Sequence, residues 1–179
     1  IYKCIKEAIS KAGISSNKIK GIGVTSFGNG VVFLGKNGET IAPGCFSQDH
    51  RADDIIEMYK ETGVYDKINN IVKGTLFAGE PGPILRWYKE HDRETYDKVG
   101  GILLFKDYIM YRLTGEFATD LNCCGGSFLV DLDTMDYSKE LLKLYGIEEL
   151  YDALPKLAGE PTDIVGKVTK EAAEKTGLA

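Results

Sequence analysis

The sequence lacks the features that mark membrane and nucleic-acid-binding proteins. No run of about 18 apolar residues could cross a bilayer, and the opening IYKCIKEAISKAG has no continuous apolar core of a signal peptide. Lys and Arg number 22 against 27 Asp and Glu, and they form no basic stripe for phosphate binding. We therefore expect no membrane partner, no nucleic-acid partner and a cytoplasmic setting.

Signatures of metal sites and repeats are missing as well. The four cysteines show no paired CxxC spacing, and only His50 and His91 could assist them in binding zinc. We predict no metal site and interpret the cysteines as reduced thiols, mostly buried. With 179 residues, 43% hydrophobic and 27% charged, the composition is that of a globular protein with one substantial core.

Both ends of the chain have helical patterns. Apolar residues at helical spacing run from Ile1 to Ile9 until Gly13 stops them, and residues 169–175 form a helical pattern that Gly177 closes. The first residue is not Met. We interpret the sequence as a piece of a longer polypeptide.

A polar turn precedes the first strand of a predicted β-hairpin. Gly28 and Gly30 flank Asn29, and residues without Cβ permit unusual dihedral angles and close approach to a bound molecule. Asn also tolerates the left-handed conformation better than most residues. On the residues alone, Asn29 is either a ligand contact or a turn residue.

The hairpin connects this turn to a second polar cluster. Residues 31–34 and 41–46 are rich in β-branched and aromatic side chains, and Asn37-Gly38 between them favours a type I′ turn. The second strand leads into the polar run SQDHR. The hairpin can thus bring Asn29 and Asp49 to one end of a sheet, with the donors and acceptors that sugar hydroxyls require.

Helical patterns dominate after residue 50, so the chain is predicted to be a single α/β domain over residues 1–179. The predicted helices span residues 52–62, 64–72, 83–91, 106–113 and 137–145, the last of them capped by Asp136. Further strands are predicted over residues 21–26 and 102–105.

Several motifs occur together in a fixed order. GIGVTSFGNGVVFL comes first, followed by FSQDHRA, PILRWYKEHDRETY, ILLFKDYIMYRLTGEFATD and DIVGKVTKEAAEKTGL. In this order they resemble the first domain of the FGGY-family carbohydrate kinases over nearly the whole chain. The resemblance implies a ribonuclease H-like fold, as in actin and hexokinase, with a mixed sheet, flanking helices and incomplete N-terminal strands.

The resemblance also implies a function for the full-length protein. It would be an ATP-dependent sugar kinase that uses ATP and Mg²⁺ to phosphorylate a small sugar or polyol. The general base is expected downstream of Ala179 and the adenosine-binding domain outside the chain, so we assign this chain no catalytic residue and no cofactor and expect it to be inactive alone. Such kinases often pair, which makes a homodimer a candidate assembly. The alternatives are a non-catalytic sugar-binding or regulatory module and a purely structural fragment.

Departures from the family pattern bear on the substrate. Many xylulose kinases have Met-His where this chain has Gly28-Asn29, and Trp where it has Ser47. The small Ser47 together with LRWYKEH is similar to the L-xylulose kinase branch. We therefore predict a ketopentose or related polyol, L-xylulose-like first and D-xylulose next, because a few hydrogen bonds distinguish such sugars. Ile84 replaces a Lys that many members carry.

The resemblance assigns substrate contacts to the first polar turn, to the hairpin exit and to a wall formed by the segment LFAGEPGP. The predicted contacts are Gly28, Asn29, Asp49, Leu76, Phe77 and Glu80. Supporting roles are predicted for Gln48, Arg51 and Trp87.

Each of these roles has a structural alternative. Asp49 could instead cap the helix that begins near Ala52, and Arg51 is expected to orient Asp49 rather than touch substrate. Trp87 is more typical of a core residue, and Glu80 could be merely a solvated loop residue.

Two further polar groups have simpler structural interpretations. We interpret Lys106-Asp107 as architectural, because an acidic residue near a helix N-terminus is expected from the helix dipole alone. Asp120 and Asn122 border a second polar turn and are less favoured as site residues.

Overall fold

The computed structural model describes residues 1–127, 129–159 and 162–179, in which short helices surround small two-stranded sheets. The helices are α1 Tyr2–Ala12, α2 Asp53–Glu61, α3 Val64–Val72, α4 Pro81–His91, α5 Arg93–Tyr96, α6 Phe105–Thr114, α7 Leu121–Gly125, α8 Lys139–Tyr145 and α9 Lys170–Thr176. The strands are β1 Val31–Leu34, β2 Gly101–Leu104, β3 Ala118–Asp120, β4 Val130–Asp131, β5 Asp136–Tyr137 and β6 Lys156–Ala158. Within these ranges no helix has the length and apolar character needed to traverse a bilayer.

Strand β1 is the best-connected strand of the fold. It pairs antiparallel with β2, so that Val31 lies opposite Leu104. On its other side, Val31 and Cys45 each donate a backbone N–H to the carbonyl of the other, both at 2.9 Å. At Val31, therefore, three backbone segments lie side by side. Elsewhere β3 pairs parallel with β6, and β4 pairs antiparallel with β5.

The two faces of β1 reach different parts of the interior. Side chains alternate across a strand, and here Val31 and Phe33 enter the main hydrophobic core while Val32 and Leu34 enter a second cluster with Leu103. All four β1 residues are buried. This explains why the strand VVFL is a continuous apolar run rather than an alternating one.

The helical predictions over residues 52–62, 64–72 and 106–113 are confirmed by α2, α3 and α6. Helix α4 begins at Pro81 rather than Pro83, and both prolines fit because the first turn of a helix needs no N–H donors. The predicted cap of α8 is wrong. Ser138 accepts the N–H of Leu141 at 3.2 Å, while Asp136 lies in β5.

The predicted type I′ turn at Asn37-Gly38 is also wrong. That turn needs positive φ at both central residues, but of these two only Gly38 has it, at 81°. Gly35 instead accepts the N–H of Gly38 at 3.0 Å and donates its own N–H to Glu39 at 2.8 Å. The connection is a three-residue loop closed by a left-handed glycine.

Two strand predictions need correction. Residues 21–26 belong to no strand, because no described segment pairs with their backbone. Residues 41–46 meet β1 only at the isolated bridge between Cys45 and Val31 and through the Ile41 N–H, which donates to the carbonyl of Phe33 at 3.2 Å. Both segments have the composition of strands, but a strand exists only where a neighbouring backbone accepts and donates its hydrogen bonds.

Helix α4 contributes Ile84 to the main core, where its side chain is fully buried. Ile84→Ala should lower the free energy of unfolding by about 2–5 kcal/mol, because the substitution leaves a cavity as well as losing apolar burial. Ile164→Ala is the matched control, since Ile164 is 91% exposed. Urea denaturation of both variants measures the difference, and equal effects of the two substitutions would contradict this packing.

Candidate functional site

Three polar segments converge at the end of β1 that carries Val31. Gly28-Asn29 lies just before Val31 in the chain. Because β2 runs antiparallel, its end at Leu104 delivers Lys106 to the same place. The bridge between Val31 and Cys45 brings Asp49 there as well. The sheet register thus assembles residues that are far apart in sequence.

Aromatic rings connect the Asn29 turn with the Asp49 loop. The ring of Phe27, which precedes Gly28-Asn29, stacks on the ring of Phe46, which precedes the Ser47–Asp49 run, with centroids 5.1 Å apart and planes inclined by 19°. The N–H of Asp49 donates to the carbonyl of Phe46 at 2.9 Å. The predicted proximity of the Asn29 turn and the Asp49 loop is therefore present in the structure.

Asn29 adopts the left-handed conformation, with φ of 65°. Such a conformation is uncommon for a residue with a side chain, and Asn tolerates it best. Asn29 is half-buried and also lines a large cleft. The turn interpretation and the ligand interpretation are therefore compatible with each other.

Arg51 holds Asp49 in a fixed position. The Arg51 backbone N–H and Nε both donate to Asp49 Oδ1 at 3.0 Å, and Arg51 Nη2 lies 2.9 Å from Oδ2. Arg51 Nη1 donates to the Tyr88 hydroxyl at 2.8 Å, and the guanidinium lies 5.1 Å from the centre of the Trp87 ring. Asp49 does not cap α2, whose first turn follows Ala52 without a side-chain cap.

The ion pair decides the charge of Asp49. Partial burial disfavours the ionised carboxylate, but the hydrogen bonds and charge of Arg51 outweigh that effect and hold the pKa of Asp49 below its ordinary value. Asp49 is therefore a carboxylate at neutral pH and can only accept hydrogen bonds. This suits it to receive the hydroxyl hydrogens of a polar ligand.

Glu80 has the opposite environment. It is fully buried, and neither carboxyl oxygen has a hydrogen-bond partner among the described residues. Burial raises its pKa to about 9, although it precedes α4, where the helix dipole favours negative charge. The interpretation of Glu80 as a solvated loop residue is wrong. At neutral pH it is an uncharged acid.

The rest of the predicted wall packs against the Asp49 loop. A Cβ on Gly79 would overlap the carbonyl oxygen of Ser47, so the two backbones are in direct contact. Leu76 is 2% exposed and belongs to the main core, whereas Phe77 is 39% exposed. Gln48 is exposed. Trp87 is partly buried and packs against the main core, in agreement with the interpretation of Trp87 as a core residue. The substrate contacts assigned to these residues stay predictions.

A cleft of about 1130 Å³ opens beside the Asn29 turn. Its lining includes Gly28, Asn29, Lys106, Asp120 and Asn122. The other predicted contacts and supporting residues are not among the described residues that line it. The polar site therefore has two parts, a cleft bordered by Asn29 and a surface loop that carries Asp49.

Lys106 lines the cleft and forms ion pairs with two carboxylates. Its Nζ lies 2.5 Å from Asp120 Oδ2 and 2.9 Å from Asp107 Oδ1. Asp120 also caps α7 through the N–H of Cys123 at 2.9 Å. The ion pairs agree with the architectural interpretation of Lys106, but the sequence pattern does not predict its position on the cleft wall. The available signal was a polar Lys-Asp pair directly after a buried strand.

Glu80 should make stability depend on pH. Its pKa is about 9 in the folded state against an ordinary 4.5, so between these values the folded state holds a proton that the unfolded state has released. The associated stability is complete below pH 4.5 and is lost progressively up to pH 9, by about 1.4 kcal/mol per pH unit. Relative to the wild type, Glu80→Gln should therefore gain about 1.4 kcal/mol in the free energy of unfolding for each pH unit between pH 5 and pH 8.

Urea denaturation at pH 5, 6, 7 and 8 measures this slope. Glu61→Gln is the matched control, because Glu61 is exposed at the end of α2. If the stability difference between Glu80→Gln and the wild type is constant over this range, the account of Glu80 as a buried neutral acid is wrong.

Known proteins match this chain over nearly its whole length. A model of the FGGY family of carbohydrate kinases, N-terminal domain, matches residues 1–179. A probable L-xylulose kinase of Pasteurella multocida is 34% identical over 99% of this chain and 36% of its own length. The L-xylulose/3-keto-L-gulonate kinase of Escherichia coli is 32% identical over 97% of this chain and 35% of its own. The chain thus spans about a third of these curated relatives.

Solved structures agree with this match. The ligand-bound xylulose kinase of Lactobacillus acidophilus superposes with a TM-score of 0.86 at 25% identity, over 99% of this chain and 36% of that one. A glycerol kinase of Plasmodium falciparum has the same fold, with a TM-score of 0.85 at 17% identity over 98% of this chain and 36% of its own. The predicted α/β fold of the actin and hexokinase type is confirmed, and the chain belongs to the FGGY family of carbohydrate kinases as an N-terminal domain.

Proposed function

We propose that the full-length protein is a carbohydrate kinase that transfers the γ-phosphoryl group of ATP to a hydroxyl of a ketopentose or related polyol. The observation that carries this proposal is the stacking of Phe27 on Phe46, which sets the Asn29 turn beside the Asp49 loop. Two polar groups with complementary hydrogen-bonding character then flank one end of the sheet. Family membership supplies the reaction class.

In this proposal the chain binds and orients the sugar. The Asn29 amide both donates and accepts hydrogen bonds, while the Asp49 carboxylate only accepts, so together they can distinguish the directions of neighbouring hydroxyls. Arg51 keeps Asp49 charged and fixed before the ligand arrives. Prior ordering of this kind lowers the entropy cost of placing the reacting hydroxyl.

The remaining predicted residues support that arrangement. Gly28 lets the backbone of the turn approach the ligand, and Gln48 adds an exposed amide next to Asp49. The wall from Leu76 through Phe77 to Glu80 would border the Asp49 side, because its backbone lies against Ser47.

Phosphoryl transfer also needs ATP, Mg²⁺ and a general base, and none is assigned to a described residue. The cleft carboxylate Asp120 and the buried Asp107 are both paired with Lys106, so they do not fit a magnesium site. We propose that these functions belong to the rest of the full-length protein. The chain by itself should then bind sugar weakly and show no turnover.

The substrate is proposed to be L-xylulose-like, with D-xylulose next. Relatives described as L-xylulose kinases are 34% and 32% identical to this chain. Gly28-Asn29 and Ser47 are smaller than the residues expected for D-xylulose kinases, which leaves different space and different hydrogen-bonding groups. Discrimination among such sugars depends on a few hydroxyl contacts.

A substrate panel tests this proposal with the full-length protein. ATP consumption is measured with L-xylulose, D-xylulose, ribulose, erythritol and glycerol, and kcat/KM is expected to be highest for L-xylulose. Sugar binding without ATP consumption would instead favour the non-catalytic sugar-binding module. Absence of both binding and turnover for the whole panel would overturn the proposal.

The role of Asn29 can be tested without straining the turn. Asn29→Gly removes the amide while keeping a residue that accepts φ of 65°. Loss of one hydrogen bond to the sugar should raise its KM about tenfold, with little change in the KM for ATP. Steady-state kinetics of the full-length enzyme measure both constants.

Asn17→Gly is the control, because Asn17 is exposed and lies outside the cleft lining. Asn29→Ala serves as a second variant that includes the backbone strain. An unchanged sugar KM in Asn29→Gly would remove Asn29 from the site.

A further inference from the structure

Three phenylalanines occupy equivalent positions at the roots of the three converging polar segments. Phe27 directly precedes Gly28-Asn29, Phe46 directly precedes Ser47, and Phe105 directly precedes Lys106. Their rings meet as a single cluster. The centroids of Phe27 and Phe105 are 4.7 Å apart, those of Phe27 and Phe46 5.1 Å, and those of Phe46 and Phe105 5.3 Å.

These separations lie within the range in which aromatic pairs attract beyond their apolar burial. The three-ring cluster is nevertheless on the surface. Phe27 is 40% exposed and Phe46 is 54% exposed, so the main core does not enclose them. Phe105 packs against the second hydrophobic cluster with Val32 and Leu34, and thereby anchors the other two rings to the sheet.

Two glycines make room for the rings. A Cβ on Gly30 would overlap the Phe27 ring, and a Cβ on Gly44 would come within 2.7 Å of the Phe105 ring. Neither glycine has a positive φ, so backbone conformation gives no reason for glycine at either position. The close approach of the aromatic rings is the reason that the structure offers.

A cluster that is half exposed and cradled by glycines adds little to the core. The cluster instead fixes the relative positions of the three backbone segments that follow Phe27, Phe46 and Phe105 and carry the polar side chains. The Asp49 N–H, which donates to the Phe46 carbonyl, extends this connection directly to the carboxylate loop. The turn of Asn29 is connected through Phe27 in the same way.

We propose that Phe27, Phe46 and Phe105 are positioning residues of the sugar site. Their stack sets the spacing between Asn29 and Asp49, and so determines which pattern of hydroxyls the two polar groups can contact together. This inference rests on the proposed function insofar as Asn29 and Asp49 contact the sugar. The stack itself is a property of the free protein.

The kinetic test uses Phe46→Leu in the full-length enzyme, because Phe46 is the most exposed ring of the three and its loss leaves the core intact. Leu keeps apolar volume but cannot stack. The KM for the sugar should rise about fivefold to tenfold, because the Asn29 turn and the Asp49 loop must then be ordered when the sugar binds, with the KM for ATP nearly unchanged. Loss of the aromatic pairs should lower the melting temperature by no more than a few degrees. Phe46→Tyr should restore the KM.

Phe117→Leu is the matched control, because Phe117 meets Tyr111 edge-on at 6.2 Å and touches none of the three rings in the described contacts. A rise in sugar KM confined to Phe46→Leu and rescued by Phe46→Tyr supports the proposal. An unchanged sugar KM in Phe46→Leu, or an equal rise in Phe117→Leu, overturns it.

Hydrogen exchange gives a second readout that needs no kinase activity. In the sugar-free protein, Phe46→Leu should speed amide exchange both in residues 28–30 and in residues 47–49, whereas Phe117→Leu should affect neither segment. Exchange that rises in only one segment, or in neither, overturns the positioning role. If exchange rises in both segments but the full-length protein phosphorylates no sugar, the positioning role of the stack is supported and only the proposed function is rejected.

Discussion

The two-sided pairing of Val31 is the constraint on which the rest of the site depends. On one side it faces Leu104 across the antiparallel β1–β2 ladder, and on the other it exchanges two backbone hydrogen bonds with Cys45. Each of these three residues lies close in the chain to a polar side chain: Val31 to Asn29, Cys45 to Asp49 and Leu104 to Lys106. The backbone hydrogen bonds of β1 to β2 on one side and to Cys45 on the other therefore fix this convergence.

Local environment then gives the two nearby carboxyl groups different chemistry. Asp49 is partly exposed and has the Arg51 guanidinium against it, so it stays ionised. Glu80 is enclosed by apolar packing with no partner of opposite charge among the described residues, so it stays protonated. One group can therefore accept hydrogen bonds from a ligand, while the other reduces stability as the pH rises.

Sequence patterns predicted the elements whose stability is local. Helices α2 and α3 follow from their apolar spacing and the intervening Gly63, which adopts the left-handed conformation with φ of 70°. The convergence of Asn29 and Asp49 was also predictable, since a hairpin brings its two ends together.

Features that depend on distant partners could not be predicted in this way. Residues 21–26 have the composition of a strand but lack a pairing partner in the described chain, and Glu80 interacts electrostatically with Tyr145, 65 positions later. The contact of Phe105 with Phe27 spans a similar distance. Nothing in a single sequence identifies which phenylalanines share a cluster.

A crystal structure of the full-length protein with bound L-xylulose tests the central claim most directly. The account predicts sugar hydroxyl oxygens within about 3 Å of both the Asn29 amide and the Asp49 carboxylate, with the Phe27 and Phe46 rings still stacked beneath them. A sugar bound elsewhere, without contact to either residue, would contradict the account.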